Sequence, residues 1–276
     1  MLLSCETVGG DSRHALPAAG AIEILHNFTL VHDDVMDNAS LRRGRPTVHT
    51  KWDTNTAILT GDQMAACAYE MLLRCKTSRI RGVVEVFTRA FNEVCEGQGL
   101  DEEFETRRNV GLPDYLQMIA KKTGRVIASC AEMGGIIGGG SGREVTALRR
   151  FGEYLGLAFQ IKDDLLDVTG NVHEFGKTIG GDIREGKKTF LLLRAYERAR
   201  GKEKEMLGRV MTGRGGGQST VIAVRRIYEN LGILDEAERT IDRCTRQAGR
   251  ELAKLPRRRS RDLLLWLSEQ LRLRSA

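Results

Sequence analysis

The chain is 276 residues long, 41% apolar and 29% charged, with a formal net charge of +6, long enough for a large buried core and at the upper edge of one domain. It holds only 4 prolines, well under the average of about 5%, which favours long helices and excludes an all-β sandwich. The six cysteines are dispersed with no Cys-x-x-Cys pair, and no apolar run reaches about 18 residues, so a disulfide-stapled secreted domain and a membrane span are excluded and a soluble, cytoplasmic protein is expected.

Taken in chain order, the first apolar stripe is Ala18, Ala21, Ile22, Leu25, Phe28, Val31 and Val35, the spacing of one long helix. Late in it lies Asp33-Asp34-Val35-Met36-Asp37, and behind that a turn, Leu41–Pro46, with arginines at 42, 43 and 45. Helical periodicity returns near 55–75, 79–97 and 113–137. Gly97-Gln98-Gly99-Leu100-Asp101 falls near the polar face of one of these helices, and Lys121-Lys122-Thr123-Gly124 opens or interrupts another. Gly138–Gly142 reads as a flexible connection. The stretch 144–169 carries a second acidic pattern, Asp163-Asp164-Leu165-Leu166-Asp167. A glycine-rich segment, Gly170–Gly186, follows, with Phe175-Gly176-Lys177-Thr178 and Gly186-Lys187-Lys188-Thr189 in and after it. It departs from a Walker loop in spacing and has no strand before it. Further helices are predicted near 187–200, 219–232, 235–255 and 260–273, with Gly213–Gly217 as another flexible connection, for about nine helices in all. The fold class is all-α.

Function resides in the repeated acidic pattern. Residues i and i+4 share a helical face, so Asp33 stacks with Asp37 and Asp163 with Asp167, each middle aspartate being turned about 100° aside. Like charges at that spacing repel, and aspartate is a poor helix former, so the pattern costs stability unless a cation compensates. A half-open carboxylate site of this kind suits Mg²⁺, which takes one or two carboxylates and bridges to substrate phosphates. One such cluster alone reads equally well as a solvated acidic face. Two are another matter: 15 aspartates among 276 residues would produce the pattern roughly 0.04 times by chance. His26, seven residues before Asp33, and Gln160, three before Asp163, fall on the same helical faces as the clusters. Arg42 and Arg43 offer planar forks for a diphosphate, and the lysines after the second cluster offer point charges.

These residues resemble the trans-isoprenyl diphosphate synthases, or polyprenyl synthetases. The resemblance runs from about Leu2 to Leu193, and its most specific pieces are His32-Asp33-Asp34-Val35-Met36-Asp37 with Leu41-Arg42-Arg43-Gly44, and Phe159-Gln160-Ile161-Lys162-Asp163-Asp164-Leu165-Leu166-Asp167 with Gly176-Lys177. It implies an isoprenoid synthase fold with helices around a central cavity, Mg²⁺ dependence and a homodimer. It further implies that Asp33, Asp34, Asp37, Asp163, Asp164 and Asp167 hold about three Mg²⁺ on the allylic diphosphate. By the same resemblance, Arg42, Lys122, Lys177 and Lys187 bind that diphosphate and Arg43 and His26 bind isopentenyl diphosphate. Thr123 and Gln160 match positions beside the developing allylic cation, with Lys122 among the catalytic set. The implied reaction is head-to-tail prenyl transfer to a short-chain all-trans product, C20 favoured and C15 next, with Phe28 and Thr29 as the floor that sets chain length.

The family's basic Gly-Lys-Arg-x-Arg-Pro segment is absent, and Leu2–Gly10 resembles the helix end that follows it. Residues 1–276 are therefore expected to be a single polyprenyl synthetase domain lacking the N-terminal helix or helices, either because the start is too late or because part of one substrate site is missing. The alternative is a non-catalytic or truncated subunit of a prenyl synthase, although such subunits usually have degraded aspartate clusters. A class I terpene cyclase would carry an Asn/Ser/Glu-type second metal motif. No nucleic-acid partner is expected, since Arg257–Arg261 reads as the charged start of an apolar-periodic helix.

Overall fold

The computed structural model describes residues 1–170, 180–213 and 216–274. A short helix α1 (Leu2–Thr7) and a 3₁₀ turn (Ser12–Ala15) lead into α2 (Leu16–Met36), which Pro17 opens in its first turn, where a missing N–H costs nothing. The arginine-rich turn is a minimal hairpin of β1 (Leu41–Arg42) and β2 (Arg45–Pro46), antiparallel with Leu41 opposite Pro46. Arg43 and Gly44 form its two-residue loop at φ 50° and 73°, the left-handed pair that matches the twist of a tight hairpin.

Then come α3 (Val48–Lys51), α4 (Thr54–Leu72, capped by the Asp53 carboxylate) and α5 (Ile80–Thr106). The spacing predicts an end to α5 near residue 97, but the helix runs on through Gly97 and Gly99. The reason is packing: a Cβ on Gly97 would lie 2.4 Å from the backbone nitrogen of Lys122, so this glycine is a point of close approach and not a terminator. The helix expected over 113–137 is α6 (Leu112–Ile119) and α7 (Arg125–Ile137) joined by a π-helical stretch, Ala120–Gly124. That stretch contains Lys122 and Thr123, and such bulges are frequent at functional sites.

The long helix α8 (Gly142–Thr169) starts at a capping box between Ser141 and Glu144. After it come α9 (Gly181–Glu185), α10 (Phe190–Arg198), α11 (Gly201–Val210), α12 (Gln218–Asn230), α13 (Ile233–Leu252) and α14 (Arg259–Leu273). Helices α9 and α11 are too short and glycine-bounded to carry a readable apolar period. Three apolar clusters hold the bundle. One joins α1, α2, α4, α5 and α7, and another joins α6, α8 and α10–α13. The third joins α7, α8, α13 and α14, so α7, α8 and α13 each belong to two of them.

Glycines bring α8 onto the π stretch and α7. A Cβ on Gly156 would lie 2.4 Å from Gly124 Cα, and one on Gly152 would lie 2.5 Å from Ala128 Cα. This contact sets the distance between Gln160 and Thr123, one turn farther along. Overpacking a tight crossing costs about 1–3 kcal/mol, so Gly156→Ala should lower the unfolding free energy by that amount, seen by circular dichroism as a lower urea midpoint at an unchanged denaturant slope.

Candidate active site

The last turns of α2 and α8 each carry one aspartate triad, and helical geometry sorts both triads in the same way. The middle residues, Asp34 and Asp164, are buried at 5% exposure, whereas Asp33 and Asp163 are half-buried and Asp37 is exposed at the helix end. Each buried aspartate has protein partners. Asp34 Oδ1 accepts from Arg42 Nε at 2.7 Å. Asp164 Oδ2 accepts from the Tyr115 hydroxyl at 2.6 Å and from the Phe190 N–H at 3.0 Å, and its Oδ1 accepts from Gln160 Nε2 at 3.2 Å.

Cations surround the first triad. Arg42, held by the hairpin, also reaches Asp33 at 3.5 Å, and Lys122 Nζ stands 3.5 Å from Asp33 and 2.6 Å from Asp101 on α5. Burial alone would lower the Lys122 ammonium, but Asp101 and Asp33 outweigh it and hold its pKa above the ordinary value. Lys187 behaves alike: burial is overcome by Glu185, 3.0 Å away, and by Asp182 and Asp37. Lys188, buried beside it, donates to the carbonyls of Phe104 and Glu105, which fastens this loop to the C-terminal end of α5. Arg43 is exposed at the hairpin tip and His26 is exposed on α2. Lys177 lies outside the described residues.

Below the first triad a cavity of about 630 Å³ lies between α2, α5, α7 and α8, with His26, Phe28, Thr29, Asp33, Lys122, Thr123 and Gln160 in its wall. Apolar side chains, Ile22, Val94, Val126, Ile127 and Phe159, make up much of the rest. Thr29 donates to the His26 carbonyl at 2.7 Å. Phe28 is buried, its ring edge-on to His32 (4.7 Å) and to Phe91 of α5 (5.1 Å), with Tyr69 of α4 behind Phe91. A second depression, about 770 Å³ on the outer side of α5, is shallow and contains none of the triad aspartates.

The second triad is the more strained electrostatically. Asp167 Oδ2 accepts from the Asp182 N–H at 3.2 Å, and Arg274 stands 3.9 Å from Asp163. Burial pushes the Asp182 carboxyl up to about 8, with Asp164 and Asp167 adding to the effect. Burial pushes Asp164 up to about 6 although its three hydrogen bonds oppose the rise. Asp37 is also raised, by loss of hydration and by Asp33. The triad members not buried, Asp33, Asp37, Asp163 and Asp167, offer carboxylate oxygens, the hard oxygen chemistry that Mg²⁺ takes. Among the described residues no three His, Cys, Asp or Glu side chains are grouped closely enough to hold one ion by themselves.

Sequence reasoning gave no site role to Asp101 or Asp182, which it saw only in glycine-rich stretches, and missed Tyr115, Phe91 and Tyr69. Tyr115 had a signal, since it lies two helical turns before Lys122 on one continuous helical run. The others are joined to the site only by tertiary packing.

The family profile described as polyprenyl synthetase matches residues 1–231. The short chain isoprenyl diphosphate synthase of Methanothermobacter thermautotrophicus is 39% identical over 270 residues, 97% of this chain and 82% of that one. A crystal structure of the geranylgeranyl pyrophosphate synthetase of Pyrococcus horikoshii superposes with a TM-score of 0.93 at 38% identity, over 99% of this chain and 84% of that one. A polyprenyl synthase from Caulobacter crescentus, complexed with calcium and isoprenyl diphosphate, superposes with a TM-score of 0.90 at 32% identity, over 99% and 83%.

The raised carboxyls make stability depend on pH with a definite sign. Between the ordinary value of 3.8 and the folded values of about 6 and about 8, the folded chain keeps protons that the unfolded chain has released. Stability is therefore full below that window and is lost as pH rises through it. In chelator-treated protein the thermal midpoint should fall from pH 4.5 to 8.5, and Asp182→Asn should flatten the upper half of that decline.

Proposed function

The chain belongs to the polyprenyl synthetase family, whose members are prenyltransferases, and from that premise we propose that it condenses isopentenyl diphosphate with an allylic diphosphate, head to tail, to give a C20 all-trans prenyl diphosphate. The observation that carries this reading is the pairing of two aspartate triads and their cations with an apolar cavity of about 630 Å³ that begins directly beneath Asp33.

Asp33, Asp37, Asp163 and Asp167 are the residues that would hold Mg²⁺, in keeping with the family's general Mg²⁺ use, and about three ions per site is the working number. When bound, the metal supplies Lewis-acid stabilisation of the departing diphosphate. Arg42, Lys122 and Lys187, with Lys177 by resemblance, bind diphosphate oxygens, and Arg42 must exchange part of its contact with Asp34 and Asp33 to do so. Arg43 and His26 are assigned to isopentenyl diphosphate. As the allylic C–O bond breaks, its electron pair leaves with the diphosphate and the carbon becomes cationic. The isopentenyl double bond attacks that carbon, and the proton then lost goes to the released diphosphate. Thr123 and Gln160 face the cation with oxygen atoms, and the apolar walls keep water from it. Phe28 closes the shaft, with Thr29 above it, which favours C20 over longer products.

A homodimer is part of this reading. Ile58 and Leu59 on α4 are 41% and 68% exposed, an apolar edge that a second copy would cover. No described helix is long and apolar enough to cross a membrane, and a cytoplasmic location is the corresponding proposal.

The test is direct. With Mg²⁺, labelled isopentenyl diphosphate and C5, C10 or C15 allylic diphosphates, the purified chain should yield a C20 product. No product from folded protein would instead favour a non-catalytic subunit. Asp33→Ala should lower kcat by about 10²–10³-fold, the usual effect of losing one electrostatic element of a preorganised site. Phe28→Ala should lengthen the product by at least one C5 unit on chromatographic sizing, and an unchanged product would remove Phe28 from the floor.

A further inference from the structure

The geometry points to Tyr115 as a positioning residue that, through Asp164 and Gln160, fixes which atoms the cavity wall at Thr123 turns toward the allylic cation. The inference rests on the proposed reaction and deepens it.

A buried chain of hydrogen bonds carries the effect. Tyr115 is 2% exposed on α6, and its hydroxyl donates to Asp164 Oδ2 at 2.6 Å. The Phe190 N–H donates to the same oxygen at 3.0 Å. The other oxygen, Oδ1, accepts from Gln160 Nε2 at 3.2 Å, and Gln160 Oε1 accepts from the Thr123 hydroxyl at 2.9 Å. Thr123 and Gln160 both line the cavity, whereas Tyr115 and Asp164 do not.

The direction of each bond is fixed by chemistry. A tyrosine hydroxyl beside a carboxylate donates, and a carboxylate only accepts. An amide placed against that carboxylate must turn its NH₂ toward it, which leaves the amide oxygen on the opposite side. That oxygen takes the Thr123 proton, so the lone pairs of the threonine oxygen are what remain for the cavity. The wall thus presents the negative ends of its dipoles where positive charge develops, already oriented before the reaction begins.

Without the Tyr115 hydroxyl, Asp164 Oδ2 keeps only the Phe190 N–H, the carboxylate can rotate its Oδ1 away from Gln160 Nε2, and the amide can then turn. Either an N–H or the threonine proton then faces the cation. The cation has two fates that differ in the bond formed at its carbon. Attack by the isopentenyl double bond makes the longer diphosphate. Attack by water oxygen makes the allylic alcohol, with the proton going to the released diphosphate. A poorly solvated, misplaced cation shifts the balance toward water.

Tyr115→Phe keeps the ring and removes only the hydroxyl. Support outside an immediate ligand shell is typically worth about 10–100-fold in activity. The expected result is a kcat lowered about tenfold at KM values within twofold for both diphosphates, with an increased ratio of allylic alcohol to prenyl product. In a Gln160→Met background, where the receiving amide is gone, Tyr115→Phe should add nothing further. A Tyr115→Phe enzyme with wild-type kcat and alcohol ratio, or one whose full effect persists with Gln160→Met, overturns the inference. If Tyr115→Phe does not fold by circular dichroism, Asp164→Asn is the second probe, and an unchanged alcohol ratio in that variant overturns the inference equally. Wild-type protein runs alongside: its failure to make product counts against the proposed reaction, and its activity beside an unaffected Tyr115→Phe counts against Tyr115 alone.

Discussion

The repulsion among the carboxylates gathered at the ends of α2 and α8 is the constraint around which this molecule is arranged. Three aspartates within five residues destabilise a helix twice, through propensity and through like charge, and this chain does it on two helices that share one cavity. The fold answers with cations that cost little to place. Arg42 sits on a two-residue hairpin immediately after α2, Lys122 on a π-helical bulge, and Lys187 on a loop that Lys188 fastens to α5. The compensation is incomplete, since Asp37, Asp164 and Asp182 all keep raised pKa values. In the proposed reaction a metal-bound diphosphate would relieve that residual strain, which would tie binding to stability in the same residues.

Helical periodicity gives each triad two kinds of member. The first and last aspartates lie on one face and the middle one is carried toward the interior, where an unpartnered carboxylate would be very costly. The two buried members are satisfied differently. Asp34 takes a guanidinium that is itself 35% exposed, so its partner remains available to a ligand. Asp164 takes a hydroxyl, a backbone N–H and an amide, none of which leaves. One triad is therefore adjustable and the other rigid, a difference that composition alone does not reveal.

Much of this was legible in sequence because it is local. The i, i+4 stacking, the helices that carry it, and the placing of Gln160 on the same face as the second triad all follow from periodicity. What escaped is what tertiary contact decides. Tyr115 and Asp164 stand 49 residues apart, and although Tyr115 shares a helical run with Lys122, only tertiary packing pairs it with Asp164. Gly97 and Gly99 suggested a helix end, yet α5 continues because the backbone of Lys122 needs the room. The segment over 113–137 reads as one helix because a π bulge inserts its extra residue without interrupting the apolar stripe. Asp182 looked like part of a glycine-rich turn, and only the return of α9 onto Asp167 makes it part of the acidic site.

The depth of the cavity follows from the same helix that holds the charge. Ile22, His26, Thr29, Asp33 and Met36 recur every three or four residues, so they form one stripe of α2 and face the cavity together. Thr29, a small residue, lies on that stripe one turn before Asp33. Phe28 lies off that stripe and is braced by Phe91 from α5, so the barrier enters from the side and is built by two helices. On the proposed reading, the charge at the top and the barrier below are carried by residues about one turn apart, with Asp33 on the stripe and Phe28 to one side of it.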